Sequence, residues 1–244
     1  STCFGMKNLF YEIFDDEKTY KDYVRTTLTI YDAIKGGFKT DIDLIKNNID
    51  LDSFRQEYCC EFIDETTSYF PYTLLRELID DYNEKVIRGK TFIGIDIGRS
   101  NDKTAIVVIR ESAGNFYLIR REELDRTKFN DQLNIIEQIF YEENPDGVLI
   151  DKGLIGMQIA EYLEEKYTFV QGVSFSNMFI SEMVTNAKKL FEQKKFRMYD
   201  DKDLISQLHS INKKVSINNN VSFLSERDSK GHSDSAWALL LSLQ

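Results

Sequence analysis

The sequence predicts an α/β protein with a mixed sheet, in which three antiparallel strands are followed by parallel strands and flanked by helices. Two observations favour this fold class. In Thr91–Gly98, Ile93, Ile95 and Ile97 alternate with glycine and one acid, which is the period-two pattern of a strand with one apolar face. After residue 110, short apolar runs alternate with segments of helical periodicity. An extra β-hairpin is predicted before the last helix.

The strands and helices can be placed in order. Thr91–Gly98, Lys103–Arg110 and Asn115–Glu122 are separated by short turns and predict three antiparallel strands. Phe129–Glu143 has helical spacing and ends before Pro145, and Gly147–Asp151 is a short apolar run typical of a strand buried on both faces. The remaining predictions are helices at Ile155–Lys166, Ile180–Phe196, Asp203–Ile211 and Ser233–Leu243, a strand at Thr168–Ser174, and a hairpin turning at Asn218–Asn220.

Composition narrows the class of protein. The 244 residues, 42% of them hydrophobic and 30% charged, can bury a sizeable core. No apolar run approaches the roughly 20 residues of a membrane span, and we expect no membrane association and a cytosolic setting. Three cysteines and two histidines predict neither a disulfide framework nor a zinc site. The net charge of -10 argues against a generally basic surface but allows a local one.

The chain changes character at residue 90. Residues 1–90 show scattered aromatic residues, a predicted helix at Tyr72–Val86 and no clear series of strands, and ordinary packing explains these aromatics. The chain opens on serine rather than methionine, which suggests a fragment of a longer protein. We therefore expect a helical, linker-like segment at 1–90 and the α/β domain at 91–244.

Three acids occupy comparable positions in the predicted fold. Asp96 lies within the first strand, where an ionised carboxylate is costly to bury unless a metal, hydrogen bonds or water compensate it. Asp151 ends the fourth strand, and Asp234 begins the last helix. Taken alone, Asp234 is explained by the helix dipole, and an acid such as Asp151 before a glycine-containing turn is commonplace. Together they favour a crevice with oxygen ligands for a hard divalent cation.

The order of elements resembles the ribonuclease-H-like nuclease fold, and the motifs resemble the C-terminal nuclease domain of phage large terminases. The motifs are GIDIGRSNDKTAIVVI at Gly94–Ile109, VLIDKGLIG at Val148–Gly156 and GHSDSAWAL at Gly231–Leu239. STCFGMKNLFYEIF and FRQEYCCEF resemble the end of the terminase ATPase domain and a segment after it, although Cys3 stands where proline is frequent. Residues 1–90 would then be a remnant of that domain and its linker. No GxxxxGK[ST] loop is present, so this chain alone cannot be the ATP motor.

The resemblance implies a catalytic site and its cofactors. Asp96, Asp151 and Asp234 would hold one or two Mg²⁺ or Mn²⁺ ions for cleavage of double-stranded DNA during viral genome packaging. His232, two residues before Asp234, is a candidate for a nearby or alternate ligand, and a solvent-facing histidine in a capping loop is the equal alternative. Lys152, where the family usually has smaller residues, is a second such candidate that either holds a phosphate or weakens metal binding by repulsion. Implied partners are double-stranded DNA, a portal protein, a small terminase subunit and further copies of the chain in the full-length motor, in the cytoplasm of a bacterial host. Asp102 and Asp228 are interpreted as turn residues.

A basic segment is the best local candidate for contact with DNA, because basic residues bind phosphates without reading sequence. Its members are Lys188, Lys189, Lys194, Lys195 and Arg197. A solvated helix face is the alternative for this segment.

Three other functions stay open at this point. They are a Holliday-junction-resolvase-like nuclease, an actin- or sugar-kinase-like ATPase, and a DNA-docking module without catalysis. The ATPase reading needs a late glycine-rich loop, whereas Gly231 is the only glycine after Gly172.

Overall fold

The structure is a computed structural model that describes residue 3 and residues 9–62, 68–98, 103–153, 156–215, 221–225 and 233–244. The chain forms two compact units, Ser1–Thr67 and Ser68–Gln244. Tyr69, Phe70, Leu75 and Leu78 are buried in the core of the second unit. Residues 68–90 therefore belong to the same compact unit as the sheet. The assignment of 1–90 to an ATPase remnant and linker rests on resemblance and stays a prediction.

The first unit is helical in the part that the structure describes, with no strand there. Its helices are α1 (Leu9–Asp15), α2 (Ile30–Lys35), α3 (Ile42–Asn48) and α4 (Leu51–Tyr58). Thr29, Asp41 and Asp50 cap α2, α3 and α4 by accepting hydrogen bonds from backbone N–H groups of the first turns. Phe54 is buried and stacks on Tyr58 with ring centroids 5.5 Å apart.

The second unit contains a mixed sheet, which confirms the predicted fold class. Its strands are β1 (Lys90–Asp96), β2 (Thr104–Ser112), β3 (Asn115–Leu124), β4 (Gly147–Asp151), β5 (Val170–Val173), β6 (Phe196–Arg197), β7 (Ile211–Val215) and β8 (Val221–Ser225). Its helices are α5 (Tyr72–Arg76), α6 (Phe129–Glu143), α7 (Gly156–Lys166), α8 (Asn177–Glu192), α9 (Lys202–His209) and α10 (Asp234–Ser242). Within the described residues, the sheet order is β5-β4-β1-β2-β3-β6, and β7 pairs with β8 in a separate hairpin.

Strand direction follows the prediction. β1 and β2 pair antiparallel, as do β2 and β3, whereas β4 is parallel to both β1 and β5. β6, which the sequence did not predict, adds in parallel to β3. No helix in the described part of the chain is long and apolar enough to cross a membrane.

Helices cover both faces of this sheet. Ile93, Ile95 and Ile97 face α6 and α7, together with Val148 and Ile150 of β4, in one hydrophobic cluster. The opposite face packs against α8, α9 and α10 in a second cluster, which includes the β2 residues that alternate with those of the first face. Because side chains alternate along a strand, Gly94 and Asp96 belong to the face that α10 covers.

Helix α10 crosses β1 at Gly94. A Cβ at this position would overlap the carbonyl oxygen of Ala238 and would lie 2.6 Å from the backbone nitrogen of Ser242. The glycine therefore allows the backbone of the helix to contact the backbone of the strand. No larger residue permits so close an approach without displacing α10.

Three predicted helices end too late by two residues or more. The predicted helix Tyr72–Val86 is only α5, which ends at Arg76, because Leu78 and Ile79 turn toward Met198 and pair with that segment. α8 ends at Glu192 rather than at residue 196, since the left-handed conformation of Lys194 leads the chain into β6. α9 ends at His209, and Ile211 already begins β7. The predicted turn at 218–220 lies outside the described residues.

Replacement of Gly94 tests the close contact between α10 and β1. We expect Gly94→Ala to lower the free energy of unfolding by roughly 2–3 kcal/mol, because the helix backbone must move to accept the methyl group. Gly147→Ala is the matched control, since its nearest neighbour is the Phe92 ring at 3.2 Å, which is a side chain that can shift. Urea unfolding of the two variants measures the difference, and equal stabilities would contradict the proposed contact.

Candidate active site

Asp96 and Asp151 end two adjacent parallel strands. Ile95 of β1 pairs with Ile150 of β4, so Asp96 and Asp151 are the next residues of the two strands. Neighbouring strands lie roughly 4.8 Å apart, and residues in register share a face of the sheet. Both carboxylates thus belong to the face covered by α10. The register places both predicted acids at adjacent strand ends, and their role as ligands stays a prediction.

The same row continues across the sheet. Asp96 is opposite Ala105 of β2, which is opposite Glu123 of β3. The row therefore reads Asp151, Asp96, Ala105 and Glu123 on one face. Only the small Ala105 separates Asp96 from an acid that the sequence analysis did not single out.

Asp234 reaches the level of this row through α10. Four helical residues, about 6 Å along the axis, separate Asp234 from Ala238, which lies over Gly94. Two strand residues, about 6.6 Å, separate Gly94 from Asp96. The end of the sheet at which α10 begins is given by Ser235, whose hydroxyl donates to Glu123 of the acid row at 2.7 Å. Helix α10 thus begins beside the acid row, and Asp234 lies in its first turn.

The environment of Asp151 disfavours its charged form. Burial raises the pKa of this carboxyl, and the backbone N–H of Gly153 only partly opposes that effect. Asp96, Asp151 and Asp234 are all half-buried. A nearby cation would restore the stability of the ionised form of Asp151, because an opposite charge favours ionisation.

The donor chemistry fits a hard divalent cation in part. Mg²⁺ and Mn²⁺ prefer oxygen ligands, and Asp96 and Asp151 offer carboxylates on one face of adjacent strands. Among the residues that the structure describes, however, no group of three His, Cys, Asp or Glu side chains is close enough to hold a metal ion. Binding of a divalent cation would therefore depend mainly on the carboxylates of Asp96 and Asp151, with Asp234 at the start of α10 as a further acid. His232, Asp102 and Asp228 lie outside the described residues.

Lys152 is engaged by another acid. Its ammonium forms an ion pair with Glu164 of α7 at 2.6 Å, and its aliphatic chain lies across Gly172, where a Cβ would overlap it. Glu164 also accepts a hydrogen bond from the backbone N–H of Gly172 at 2.7 Å. These contacts attach the segment after β4 to β5 and α7, and they direct the ammonium of Lys152 toward α7.

Glu123 is the centre of a polar cluster that the sequence analysis missed. Its carboxylate accepts hydrogen bonds from Lys103 at 2.7 Å, Arg121 at 2.7 Å, Gln207 at 3.0 Å and Ser235 at 2.7 Å. Burial alone would raise the pKa of Glu123, but these hydrogen bonds and the charge of Arg121 outweigh it and lower the pKa to about 2. The segment RREEL at 120–124 held the signal, because strand periodicity places Arg121 and Glu123 on one face.

The predicted basic segment does not lie beside the acid row. β6 pairs with the start of β3 at Phe116, seven residues before Glu123, which is roughly 23 Å along the strand. Lys188 is buried, with its ammonium 4.2 Å from the centre of the Tyr69 ring and 4.0 Å from Glu192. The inclusion of Lys188 in an exposed DNA-contact group is therefore wrong.

The other members of the basic segment differ in their surroundings. Lys194 is exposed and forms an ion pair with Glu77 at 3.0 Å. Arg197 lies 3.8 Å from Asp80 and donates to the backbone carbonyl of Glu77. Lys195 is exposed, and Lys189 is half-buried.

A cavity of about 360 Å³ lies at the opposite end of β1 and β4. It is lined mainly by apolar side chains, among them Phe92, Leu149, Phe169, Phe179 and Leu241. Its polar lining residues are glutamines and a serine, so the lining contains no ionisable side chain. The cavity therefore offers no groups for acid–base or metal chemistry, and the acid row remains the candidate site.

Comparison with known proteins identifies the family of this chain. The family described as Terminase RNaseH-like domain has a sequence model that matches residues 93–244, more than half of the chain. The chain belongs to this family. The terminase ATPase subunit of Escherichia phage P2 is 25% identical over 238 residues, which cover 90% of this chain and 40% of that relative. The chain thus spans less than half the length of that member of the terminases.

Solved structures show the same fold. The large terminase nuclease of thermophilic phage G20c with bound magnesium has a TM-score of 0.59 and 20% identity, covering 73% of this chain and 97% of that one. A large terminase from another thermophilic bacteriophage has a TM-score of 0.64 and 11% identity, covering 98% of this chain and 60% of that one. The predicted resemblance to large terminase nuclease domains is confirmed.

The pKa of Glu123 predicts a pH-dependent contribution to stability. The unfolded chain binds the proton near pH 4.5, whereas the folded carboxylate stays ionised down to about pH 2, so the contribution is lost as the pH falls through this window. Between about pH 6.5 and 3.5, the wild-type protein should lose roughly 1.4 kcal/mol more unfolding free energy than Glu123→Gln. Urea unfolding at both pH values checks this, and parallel losses in the two proteins would contradict it.

Proposed function

We propose that this chain is the nuclease part of a phage large terminase, a metal-dependent endonuclease that cuts double-stranded DNA during genome packaging. The observation that carries the proposal is the register that places Asp96 and Asp151 side by side on the face of α10, with Asp234 in the first turn of that helix. Membership in the terminase family supports it. The phage G20c nuclease, which has the same fold, is described with bound magnesium and with bound cobalt.

Asp96, Asp151 and Asp234 would hold one or two Mg²⁺ or Mn²⁺ ions. Bound ions of this kind supply electrostatic stabilisation for the charge that develops on phosphodiester oxygens during hydrolysis. Asp96 and Asp151 are fixed by strand pairing, so their backbone positions need no rearrangement when an ion or a phosphate arrives. Lys152 is proposed to steady the segment after Asp151 through its ion pair with Glu164. His232 stays a proposed nearby or alternate ligand.

The proposed setting is the bacterial host cytoplasm, where the whole terminase would act on double-stranded DNA. A portal protein, a small terminase subunit and further copies of the chain are the proposed partners. Support for these partners comes from the family and from the likeness to a large terminase that covers nearly all of this chain. Family membership also favours the nuclease over the actin- or sugar-kinase-like ATPase reading.

Removal of single carboxylates tests the nuclease directly. With Mn²⁺ or Mg²⁺, the full chain should nick and linearise supercoiled plasmid DNA, and EDTA should stop the reaction. Asp96→Asn and Asp234→Asn should each lower the rate at least about 100-fold, because several kcal/mol of charge stabilisation depend on the ligands. Circular dichroism should show a retained fold.

The control for these variants is Asp131→Asn. Asp131 is exposed in the first turn of α6, which packs on the opposite face of the sheet, and its loss should leave the rate unchanged. Full activity in Asp96→Asn or Asp234→Asn would contradict the three-acid assignment. Cleavage confined to four-way junctions would favour a resolvase, and ATP binding measured by calorimetry would favour the ATPase. A folded wild-type chain that binds DNA without cutting it would indicate a docking module.

We also propose that the accessible basic residues contact the DNA backbone away from the cleavage point. The group is Lys189, Lys194, Lys195 and Arg197, and it excludes the buried Lys188. Acidic neighbours at Glu77 and Asp80 weaken the local positive field, so the contribution of this group should be modest. It would act by holding phosphates without reading sequence.

The double variant Lys194→Ala/Lys195→Ala tests this contact. The slope of log affinity for duplex DNA against log salt concentration should fall in magnitude by roughly 1–2, because a complex with fewer phosphate contacts releases fewer counterions when it forms. Lys35→Ala/Lys39→Ala removes the same charge from exposed positions of the first unit and is the control. Identical slopes for the two double variants would remove the basic segment from the interface.

A further inference from the structure

We propose that Glu123 is a positioning residue, whose carboxylate fixes the start of α10 and thereby the location of Asp234. The inference rests on the proposed nuclease function, because it concerns the geometry of the same acids. Glu123 shares the row of Asp96 across the sheet, one strand beyond Ala105. It is held by four polar side chains from separate parts of the second unit.

The first step is the direct link to α10. Ser235, the residue after Asp234, is buried and donates its hydroxyl hydrogen to Glu123 Oε1 at 2.7 Å. Arg121 donates to the same hydroxyl oxygen at 3.2 Å and to Glu123 Oε1 at 2.7 Å. The hydroxyl is thus used both as donor and as acceptor, which restricts its rotation and the position of the backbone that carries it.

The second step is an indirect link through α9. Gln207 donates its side-chain amide to Glu123 Oε1 at 3.0 Å, and its carbonyl oxygen accepts from the backbone N–H of Ala236 at 3.2 Å. An N–H group in the first turn of α10, which has no acceptor within its own helix, is satisfied in this way. Glu123 therefore controls two successive residues of that turn.

The usual capping interaction is absent at this helix, which increases the importance of these contacts. Ser233 occupies the N-cap of α10, yet its side chain makes no hydrogen bond to the helix backbone. Its hydroxyl pairs instead with the hydroxyl of Ser210 at 2.7 Å. Asp234 consequently lies between two anchored residues. Ser233 bonds to Ser210 outside the helix, and Ser235 bonds to Glu123.

The cluster also explains why Glu123 is not proposed as a metal ligand. Lys103 occupies Oε2 at 2.7 Å, while Arg121, Gln207 and Ser235 converge on Oε1. The side chain of Glu123 is 17% exposed and that of Arg121 is 18% exposed. Charge-assisted hydrogen bonds between partly buried groups are strong and restrict motion. The carboxylate is committed to binding protein donors, with Lys103 and Arg121 supplying positive charge beside it, although Arg121 also pairs with Asp201 and Asp203 at 2.8 Å each.

The test uses a matched pair of serine variants in one helix. Ser235→Ala removes the link to Glu123, whereas Ser242→Ala removes a hydroxyl at the other end of α10 that, among the residues the structure describes, donates to the Leu239 carbonyl of its own helix. Mn²⁺ binding to the full chain is measured by isothermal titration calorimetry. Ser235→Ala should raise the Mn²⁺ dissociation constant about 10-fold, as loss of an orienting partner typically does, and Ser242→Ala should change it less than twofold.

A second pair compares the two faces of β3. Glu123→Gln should weaken Mn²⁺ binding, because an amide presents a donor to Lys103 and disturbs the cluster. Glu122→Gln is the control, since Glu122 pairs with Arg120 at 3.0 Å on the other face. In cleavage assays, Ser235→Ala should lower kcat with little change in KM for DNA, because DNA contacts are retained. If Glu123→Gln does not fold, the serine pair decides alone.

The outcomes separate this inference from the proposed function. A wild-type chain that neither binds Mn²⁺ nor cuts DNA would overturn the nuclease and, with it, the role of Glu123. A wild-type chain that does both, with Ser235→Ala equal to Ser242→Ala in Mn²⁺ affinity and kcat, would overturn the positioning role alone. Melting temperatures of the two serine variants show whether a difference in metal affinity reflects local geometry or general loss of stability.

Discussion

The contact between the backbones of α10 and β1 is the constraint on which the rest of the second unit depends. It requires that position 94 carry no side chain, because a Cβ would overlap the Ala238 carbonyl oxygen. The close approach allows the apolar residues of α10 to join the core formed with α8 and α9. It also sets the distance along the sheet at which the helix begins. Because the helix crosses Gly94 one turn after it begins, Asp234 starts α10 at about the level of Asp96 along the sheet.

Much of this arrangement could be predicted from local sequence patterns. Period-two alternation in β1 identified Asp96 as an acid on the face opposite the isoleucines, and the structure places those isoleucines against α6 and α7. The bounds of α6 and β4 agree with the prediction to the residue. These elements are predictable because the pattern that buries their apolar residues lies entirely within each segment. The strand-end position of Asp151 follows directly.

Other features depend on contacts between distant segments, which no local pattern records. α8 ends early because Phe196 is needed beside β3, and the lysine at 188 is covered by an aromatic ring from residue 69. A run of basic residues on a helix indicates a solvent-exposed helix face. Which of those residues is exposed, however, depends on the distant segments that pack against the helix. Glu123 was missed for the same reason, since its partners come from residues 103, 207 and 235. Its own segment shows only alternating charges.

The dual use of α10 has a consequence for how the second unit opens. One helix closes a large part of the hydrophobic core and also carries an acid of the candidate site. Any excursion that detaches its first turn exposes apolar surface at the same moment that it separates Asp234 from Asp96. Detachment of the first turn of α10 and disruption of the candidate acid site would then be one event, governed by a single free energy of local opening. Hydrogen exchange in α10 would report the fraction of molecules in which the candidate site is intact at any instant.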